Sequence, residues 1–217
     1  MHIFTYQPPS IPWVDIRHVD KDIIVINKPS GLLSNPGRAP ETHDCAINRV
    51  IERYPDAILV HRLDCDTSGI LIFARNKKAE SHLKTQFQNR EAKKVYIAEV
   101  SGHVSPPSGQ IDLALGPIAD NPPFQQVSKQ GKAAITDYQV LKLRDNSTLI
   151  ELRPHTGRTH QLRVHMLALG HPILGDTFYA DKAAINASPR LKLHAKSLSI
   201  IHPYKLTPMT FVSPEHF

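Results

Sequence analysis

The chain has 217 residues, of which 41 % are hydrophobic and 21 % are charged. This composition is typical of a folded globular protein, and the length favours one bilobed domain, 1–217, over two separate domains. Two cysteines argue against a disulfide framework, the N-terminus lacks the apolar segment of a signal peptide, and no apolar run could span a bilayer, so we expect a cytoplasmic protein with no membrane partner.

Apolar patterns along the chain predict more strands than helices. The predicted strands are residues 22–27, 69–74, 94–100, 134–143, 148–152, 193–201 and 208–212. The predicted helices are residues 45–54, a helix capped by Asn76, and residues 158–169 capped by Thr156. Residues 102–132 are the least regular and rich in proline, which suits either a functional loop or an inert surface excursion. Strands that mostly follow one another predict an α+β fold with a mixed or antiparallel sheet.

The stretch HRLDCDTSG at residues 61–69 places Asp64 just before a strand with a continuous apolar sequence. One interpretation is that Asp64 and Asp66 are turn residues whose carboxylates bind nearby N–H groups. The other is functional: Arg62 is available as a charge partner or phosphate ligand, and an ionised carboxylate is a plausible nucleophile or base. Cys65 is expected to point the opposite way in an extended segment, which disfavours a thiol mechanism.

A second cluster, RPHTGRTHQLRVH at residues 153–165, brings arginines and histidines to a strand-to-helix junction. Such a junction favours anion binding over a merely solvated basic helix. A metal site is disfavoured because His155, His160 and His165 are five residues apart, whereas ligands on one helical face are three or four apart. The net charge of +6 also favours a polyanionic partner, although solubility alone is an alternative explanation.

The carboxylates and the tyrosine each allow another interpretation. Asp64 and Asp66 resemble the carboxylate pair of a glycosidase, but an aromatic content of 6 % is low for a cleft that stacks sugars. Tyr96 lies on an alternating strand, where most tyrosines are only packed.

Taken together, these stretches resemble the pseudouridine synthases of the RluA type. The matching segments are NKPSGL at residues 27–32, HRLD with TSG at 61–69, Tyr96, TGRTHQLRVH at 156–165 and HPILGD at 171–176. The resemblance covers essentially the whole chain, and motifs of this length and order are specific. It implies a long, mixed, mostly antiparallel sheet flanked by helices and loops, with a central RNA-binding cleft and no N-terminal RNA-binding module.

The resemblance also implies an activity, the isomerisation of uridine to pseudouridine in RNA without cofactor or metal. The implied substrates are stem-loops of 23S ribosomal RNA and of the tRNA anticodon arm, and a monomer is expected. Asp64 is the implied nucleophile or base, Arg163 its partner, and Tyr96 the residue that stacks on the base and assists proton transfer. The residues themselves leave open whether Asp64 attacks the ribose, attacks the uracil ring or removes a ribose proton.

The remaining implied residues contact RNA. Arg62 would fill the gap left by the flipped base or hold phosphate, and Leu162 would form an apolar floor under uracil. The other members of this expected RNA-binding set are His61, Lys28, Arg38, Arg158 and His160. A non-catalytic RNA-binding protein and a carbohydrate hydrolase remain as alternative functions.

Overall fold

The computed structural model describes residues 6–119, 121–215 and 217, and that part of the chain contains twelve strands and four α-helices. The strands are β1 (Asp15–Val19), β2 (Ile23–Lys28), β3 (Ile58–Leu59), β4 (Ser68–Ala74), β5 (Lys93–Ser101), β6 (Ser108–Asp112), β7 (Leu115–Pro117), β8 (Gln125–Val127), β9 (Ile135–Leu143), β10 (Ser147–Pro154), β11 (Leu193–Ile201) and β12 (Pro208–Val212). The helices are α1 (Ala46–Arg53), α2 (Lys77–Gln88), α3 (Gln161–Ala168) and α4 (Lys182–Asn186), with a 3-10 helix at Pro40–His43.

The chain divides into two compact units. The first unit contains the described residues up to Ala92 together with Ser197–Pro214. The second contains Lys93–Lys196 and the described residues after Pro214. Strand β11 contributes residues 197–201 to the first unit and residues 193–196 to the second.

The sheet of the first unit is antiparallel. Strand β2 pairs with β1 and with β4, β3 also pairs with β4, and β12 pairs with β11. Every residue of β4 is buried, which explains its continuous apolar sequence, because such a strand has no solvent-facing side. Ile23, Val25, Ile70 and Ile72 from these two central strands form the middle of the apolar core.

Helix α2 packs on this core and begins where the sequence predicts. The side-chain oxygen of Asn76 accepts a hydrogen bond from the N–H of Ala79 at 2.9 Å, which confirms the predicted cap. Ala79 and Leu83 are buried in the core, as their helical spacing indicates.

The proline-rich segment before β1 is fixed by Arg49 of α1, whose side chain is almost fully buried. Its guanidinium binds the carboxylate of Asp44 at 2.5 and 2.9 Å and donates to the carbonyl oxygen of Pro9 at 2.8 Å. The guanidinium also stacks 4.1 Å from the centre of the Trp13 ring. One buried side chain therefore joins the N-terminal segment to α1.

The second unit is built on the antiparallel order β5–β10–β9–β6. Strands β9 and β10 form the predicted hairpin. The apolar core of the second unit includes Ala98, Ile150 and Leu152 of the sheet. Leu162 and Met166 of α3 belong to the same core, so the helix packs against the sheet.

Two expectations about this unit are wrong in detail. Residues 102–132 contain three strands, of which β7 and β8 form a separate two-stranded sheet. Helix α3 begins at Gln161 because His160 has a φ of 53°, in the left-handed region that a right-handed helix excludes. Thr156 therefore does not cap the helix. Its hydroxyl accepts a hydrogen bond from the N–H of Ile135 at 3.0 Å and donates one to Gln161 Oε1 at 2.7 Å.

The architecture confirms the predicted α+β class with a mostly antiparallel sheet. Among the described helices, none has the length and apolar character needed to cross a membrane.

Candidate active site

Asp64 lies in a tight turn of the first unit, immediately before β4. The N–H of Thr67 donates to the carbonyl oxygen of Asp64 at 3.2 Å, which closes the turn. The side chain of Asp64 is half-buried. Because the turn ends against a buried strand, the backbone that carries the carboxylate is held in place. Catalytic groups need such a rigid support.

The turn is held through its main-chain carbonyl groups by residues of the NKPSGLLS segment. Ser34 Oγ donates to the carbonyl oxygen of Leu63 at 2.7 Å, and Ser30 Oγ donates to the carbonyl oxygen of Asp66 at 2.7 Å. The carbonyl oxygen of Cys65 accepts two bonds, from Lys28 Nζ at 2.8 Å and from the N–H of Gly31 at 3.0 Å. With the bond from Thr67, all four carbonyls from Leu63 to Asp66 accept a hydrogen bond. The turn is thereby fixed through its main-chain carbonyl groups.

Lys28 is the centre of this arrangement, and its position corrects the expected RNA contact. Its side chain is fully buried, and its ammonium donates to the carbonyl oxygens of Pro29, Leu32 and Cys65 at 2.9, 2.6 and 2.8 Å. Burial lowers the pKa of Lys28 to about 8. Since an ammonium has three hydrogens and all three are used, none is left for a phosphate.

His61 also has a structural environment. Its Nε2 accepts a hydrogen bond from the N–H of Ile72 at 3.1 Å, so the other ring nitrogen carries the hydrogen when the ring is neutral. The ring stacks on Phe87 with centroids 4.5 Å apart. These contacts join the residues before the turn to β4 and α2, which argues against the expected RNA contact.

Arg62 and Arg38, by contrast, have exposed side chains. Within the described chain, neither guanidinium has a hydrogen-bond or ion-pair partner. Both are accessible cations on the first unit, and their contacts with RNA stay predictions.

In the second unit, Tyr96 and Leu162 come together in one apolar cluster. Tyr96 lies on β5 opposite Leu152 of β10 and packs, half-buried, against the cluster that contains Leu162. Leu162 itself is buried among core residues. The two residues expected to contact uracil therefore share one environment, although core packing alone accounts for the burial of Leu162.

Arg163 is held by an acidic residue that the sequence analysis did not assign to the site. Its Nε and Nη2 bind the two carboxylate oxygens of Asp176 at 2.9 and 2.6 Å, with both side chains buried. Phe178 and Tyr179 flank the guanidinium, with ring centroids 4.7 and 5.2 Å away. Asp176 is the last residue of the HPILGD motif. A buried arginine requires a counter-charge, so this acidic residue was the available signal in the sequence for the partner of Arg163.

The expected catalytic residues are divided between the units. Asp64 belongs to the first unit, whereas Tyr96 and Arg163 belong to the second. The pairing of Asp64 with Arg163 stays a prediction.

Gln161 organises the turn that precedes α3. Its Oε1 accepts hydrogen bonds from the Thr156 hydroxyl and from the N–H of Arg158 at 2.7 and 3.0 Å. Its Nε2 donates to the oxygens of Ile135 and Thr136 at 3.0 Å each. Gln161 is buried, so all four bonds are shielded from water and fix the turn to β9.

The arginine and histidine at this turn differ in accessibility. Arg158 is half-exposed, and its Nε donates to the carbonyl oxygen of Ala133 at 3.1 Å. His160 is buried, and its Nδ1 lies 2.7 Å from the hydroxyl of Tyr179. Arg158 therefore remains a candidate for RNA contact, whereas the position of His160 argues against the contact expected for it.

The other two histidines of this stretch also have separate environments. His155 is exposed and lies 2.6 Å from the carboxylate of Asp137. His165 is fully buried, where it bonds the Thr136 hydroxyl at 2.9 Å and the Leu113 carbonyl at 3.0 Å, and burial lowers its pKa. The alternative of a merely solvated basic helix is wrong, because most residues of α3, His165 included, are buried.

One group in the described part of the chain has the spacing of metal ligands, namely Asp20, Asp22 and His202. His202 Nδ1 accepts a hydrogen bond from the N–H of Tyr204 at 3.1 Å, so its Nε2 carries the hydrogen and donates to Asp20 at 3.0 Å. These bonds account for the cluster as a turn anchor.

Comparison with known proteins identifies the family of this chain. The sequence profile of a family described as "RNA pseudouridylate synthase" matches residues 22–168. Proteins named "Dual-specificity RNA pseudouridine synthase RluA" are similar over their full length and that of this chain: the one from Escherichia coli (strain K12) is 51 % identical, and the one from Salmonella typhi is 50 % identical. The protein of the same name from Vibrio vulnificus (strain CMCP6) is 51 % identical, over 94 % of this chain and 84 % of its own length.

Two solved structures have a similar fold. Human RNA Pseudouridylate Synthase Domain Containing 1 matches with a TM-score of 0.79 and 30 % identity, over 96 % of this chain and 86 % of that chain. Human RNA Pseudouridylate Synthase Domain Containing 4 matches with a TM-score of 0.74 and 29 % identity, over 92 % and 88 %.

The fold and these similarities define an RNA-modifying isomerase. The chain belongs to the RNA pseudouridylate synthase family. The resemblance to RluA-type enzymes is thereby confirmed, and the activity of the protein is the isomerisation of uridine to pseudouridine in RNA.

Proposed function

We propose that this protein, acting as a monomer in the cytoplasm, isomerises uridines in stem-loops of both 23S ribosomal RNA and the tRNA anticodon arm. Similarity along the whole length to relatives whose name includes "dual-specificity" supports two classes of RNA substrate. The net charge of +6 supports a polyanionic substrate in general terms. Stem-loops suit such an enzyme, because loop bases are easier to extrude than paired ones.

The chemistry requires a carboxylate but no redox change. The bond between ribose C1′ and uracil N1 breaks, and a bond between C1′ and C5 of the same ring forms. The proton on C5 is released and N1 gains one, so atoms and electrons balance without a cofactor. Asp64 acts on the flipped nucleotide as nucleophile or base.

The observation that carries this proposal is the anchoring of the turn around Asp64. All four carbonyls from Leu63 to Asp66 accept hydrogen bonds, mainly from the NKPSGLLS segment. A carboxylate on so rigid a turn is positioned in advance for reaction, which is a large part of catalysis.

The other residues have supporting roles. Tyr96 stacks on the extruded base and assists proton transfer, and Leu162 contributes an apolar surface beneath it. Arg163, oriented by Asp176, is the charge partner of Asp64. Arg62, Arg38 and Arg158 contact the RNA backbone or the space left by the base, for which a planar cation is suited.

The test uses stem-loop RNA carrying tritium at C5 of uridine, since isomerisation releases that tritium to water. Asp64→Asn is expected to bind the RNA but to release no tritium. Asp66→Asn is the matched control and is expected to retain turnover. Normal turnover by the Asp64 variant would refute its assigned role. Loss of turnover in the Asp66 variant would support a carboxylate pair. RNA binding without turnover by the native protein would indicate a non-catalytic RNA-binding protein.

A further inference from the structure

Lys94 is a half-buried lysine of the second unit with an unusual lack of partners. Its Nζ donates to the carbonyl oxygen of Thr156 at 3.0 Å. Within the described chain it has no other hydrogen bond and no carboxylate partner. Burial lowers the pKa of Lys94 to about 8. Two of its three N–H groups are therefore available, and the ammonium lacks a counter-charge.

The turn at residues 156–159 presents further donors next to this ammonium. A Cβ added to Gly157 would lie 3.8 Å from Lys94 Nζ, so the turn passes close to the ammonium and has no side chain there. In the part of the chain that the structure covers, the N–H groups of Gly157 and Thr159 donate to no protein acceptor. Arg158 uses its Nε for Ala133, which leaves its two terminal amino groups for another ligand.

The same turn lines a cavity of about 570 Å³ that lies within the second unit. Its lining includes Gly157, Arg158 and Thr159 of the turn, together with Ser128 and Lys132. No aspartate or glutamate is among its described lining residues, and Lys132 is exposed without an ion-pair partner there. The cavity is therefore polar, cationic and open to a ligand that carries negative charge.

We propose that Lys94, Arg158 and the main-chain N–H groups of Gly157 and Thr159 form a binding site for one phosphate of the RNA backbone. This inference rests on the proposed function, since it takes RNA as the ligand. It adds Lys94 and the turn itself to the residues that recognise substrate. An ammonium, a forked guanidinium and main-chain N–H groups are the donors that proteins use for phosphate.

The position of Lys94 indicates which phosphate is bound. Lys94 and Tyr96 are two residues apart on β5, so their side chains project from the same face of the strand. A phosphate held by Lys94 therefore belongs to a nucleotide close to the one whose base stacks on Tyr96. The site would fix the backbone beside the extruded uridine.

The test measures the salt dependence of stem-loop binding in an Asp64→Asn background, which prevents turnover. Each lost phosphate contact lowers the slope of log affinity against log salt by about 0.7–0.9. Lys94→Gln and Arg158→Gln are each expected to lower the slope by about that amount, and Lys94→Arg to restore it. Lys142→Gln, an exposed lysine on β9, is the matched control and should leave the slope unchanged.

A purely structural role for Lys94 predicts a different result, namely reduced thermal stability with an unchanged slope. Unchanged slopes in Lys94→Gln and Arg158→Gln overturn the proposal, even if affinity falls. Arg158 is half-exposed, so its variant is expected to fold even if the Lys94 variant does not. Tritium release by the protein with native Asp64 separates this outcome from failure of the proposed function, because turnover would persist when only the phosphate site is wrong.

Discussion

The ammonium of Lys28 lies 2.8 Å from the carbonyl oxygen of Cys65, the residue that follows the proposed catalytic aspartate. This bond joins residues 37 positions apart in the sequence. It links the NKPSGL motif to the HRLD motif, so the first motif serves the second by fixing its backbone.

Replacing Lys28 by methionine is expected to reduce both stability and activity. The change leaves the carbonyls of Pro29 and Leu32 without their ammonium donor, and an unsatisfied buried acceptor costs about 1–3 kcal/mol. We expect a loss of about 2–4 kcal/mol in the free energy of unfolding and a marked fall in turnover at saturating RNA. Urea unfolding and tritium release measure the two effects. Lys21→Met, at an exposed position, is the control, and equal effects in both variants would contradict this role.

The lowered pKa of Lys28 predicts a specific dependence of stability on pH. Its pKa falls from 10.5 in the unfolded chain to about 8 in the fold, so between these values the unfolded chain binds more protons. The free energy of unfolding then rises with pH across that window. The difference between the native protein and Lys28→Met should therefore grow from about pH 8 to about pH 10. A constant difference would show that Lys28 titrates normally.

Removing the charge of Asp176 is expected to destabilise the protein strongly. Asp176→Asn leaves the guanidinium of Arg163 buried without its carboxylate, which costs about 3–5 kcal/mol for a pair of this kind. Turnover should fall more than RNA affinity, because Arg163 loses the group that orients it. Urea unfolding checks the first effect, with the exposed Asp145→Asn as control. A cost below about 1 kcal/mol, the range of surface pairs, would show that the pair is not coupled.

Replacing Gln161 tests the role of the turn before α3 without disturbing the helix itself. Gln161→Met keeps helix propensity but removes the bonds to Thr156, Arg158 and β9. We expect a loss of about 1–3 kcal/mol in stability and weaker RNA binding, because the turn that bears Arg158 is no longer fixed. Binding at a temperature where the variant remains folded measures the second effect. Normal RNA binding by this variant would contradict a role for the turn in RNA recognition.

RNA affinity should depend on the charge of Lys94. With a pKa of about 8 in the free protein and burial as the cause, Lys94 loses its proton as pH rises through 8. A bound phosphate favours the charged form, so affinity should fall above pH 8 and binding should take up protons there. Lys94→Arg stays charged and should remove that fall. The measurement is a titration of stem-loop RNA at several pH values in the Asp64→Asn background.

The local elements were predictable because their signals are local. Asn76 before a helical apolar pattern identifies a cap, and the continuous run in β4 identifies a buried strand. The Thr67-Ser68-Gly69 sequence after Asp64 likewise indicates the turn that precedes that strand.

The environments of single polar residues were not predictable in the same way. Lys28 and His160 were both expected to contact RNA. The fold instead places the carbonyl of Cys65 against Lys28 and the hydroxyl of Tyr179 against His160. Asp176 becomes the partner of Arg163 only through tertiary contact. Burial of a charged group depends on distant residues, so a pattern within one segment cannot reveal it.

Because the turn at Asp64 is held through its main-chain carbonyl groups, a different side chain at that position is expected to leave the path of the turn unchanged. A photocaged aspartate or a thiol introduced at residue 64 would occupy the same position on the turn, provided that the new group fits the space around it. Such proteins could be loaded with RNA in the dark and triggered by light, or cross-linked to their targets, without redesign of the surrounding loop.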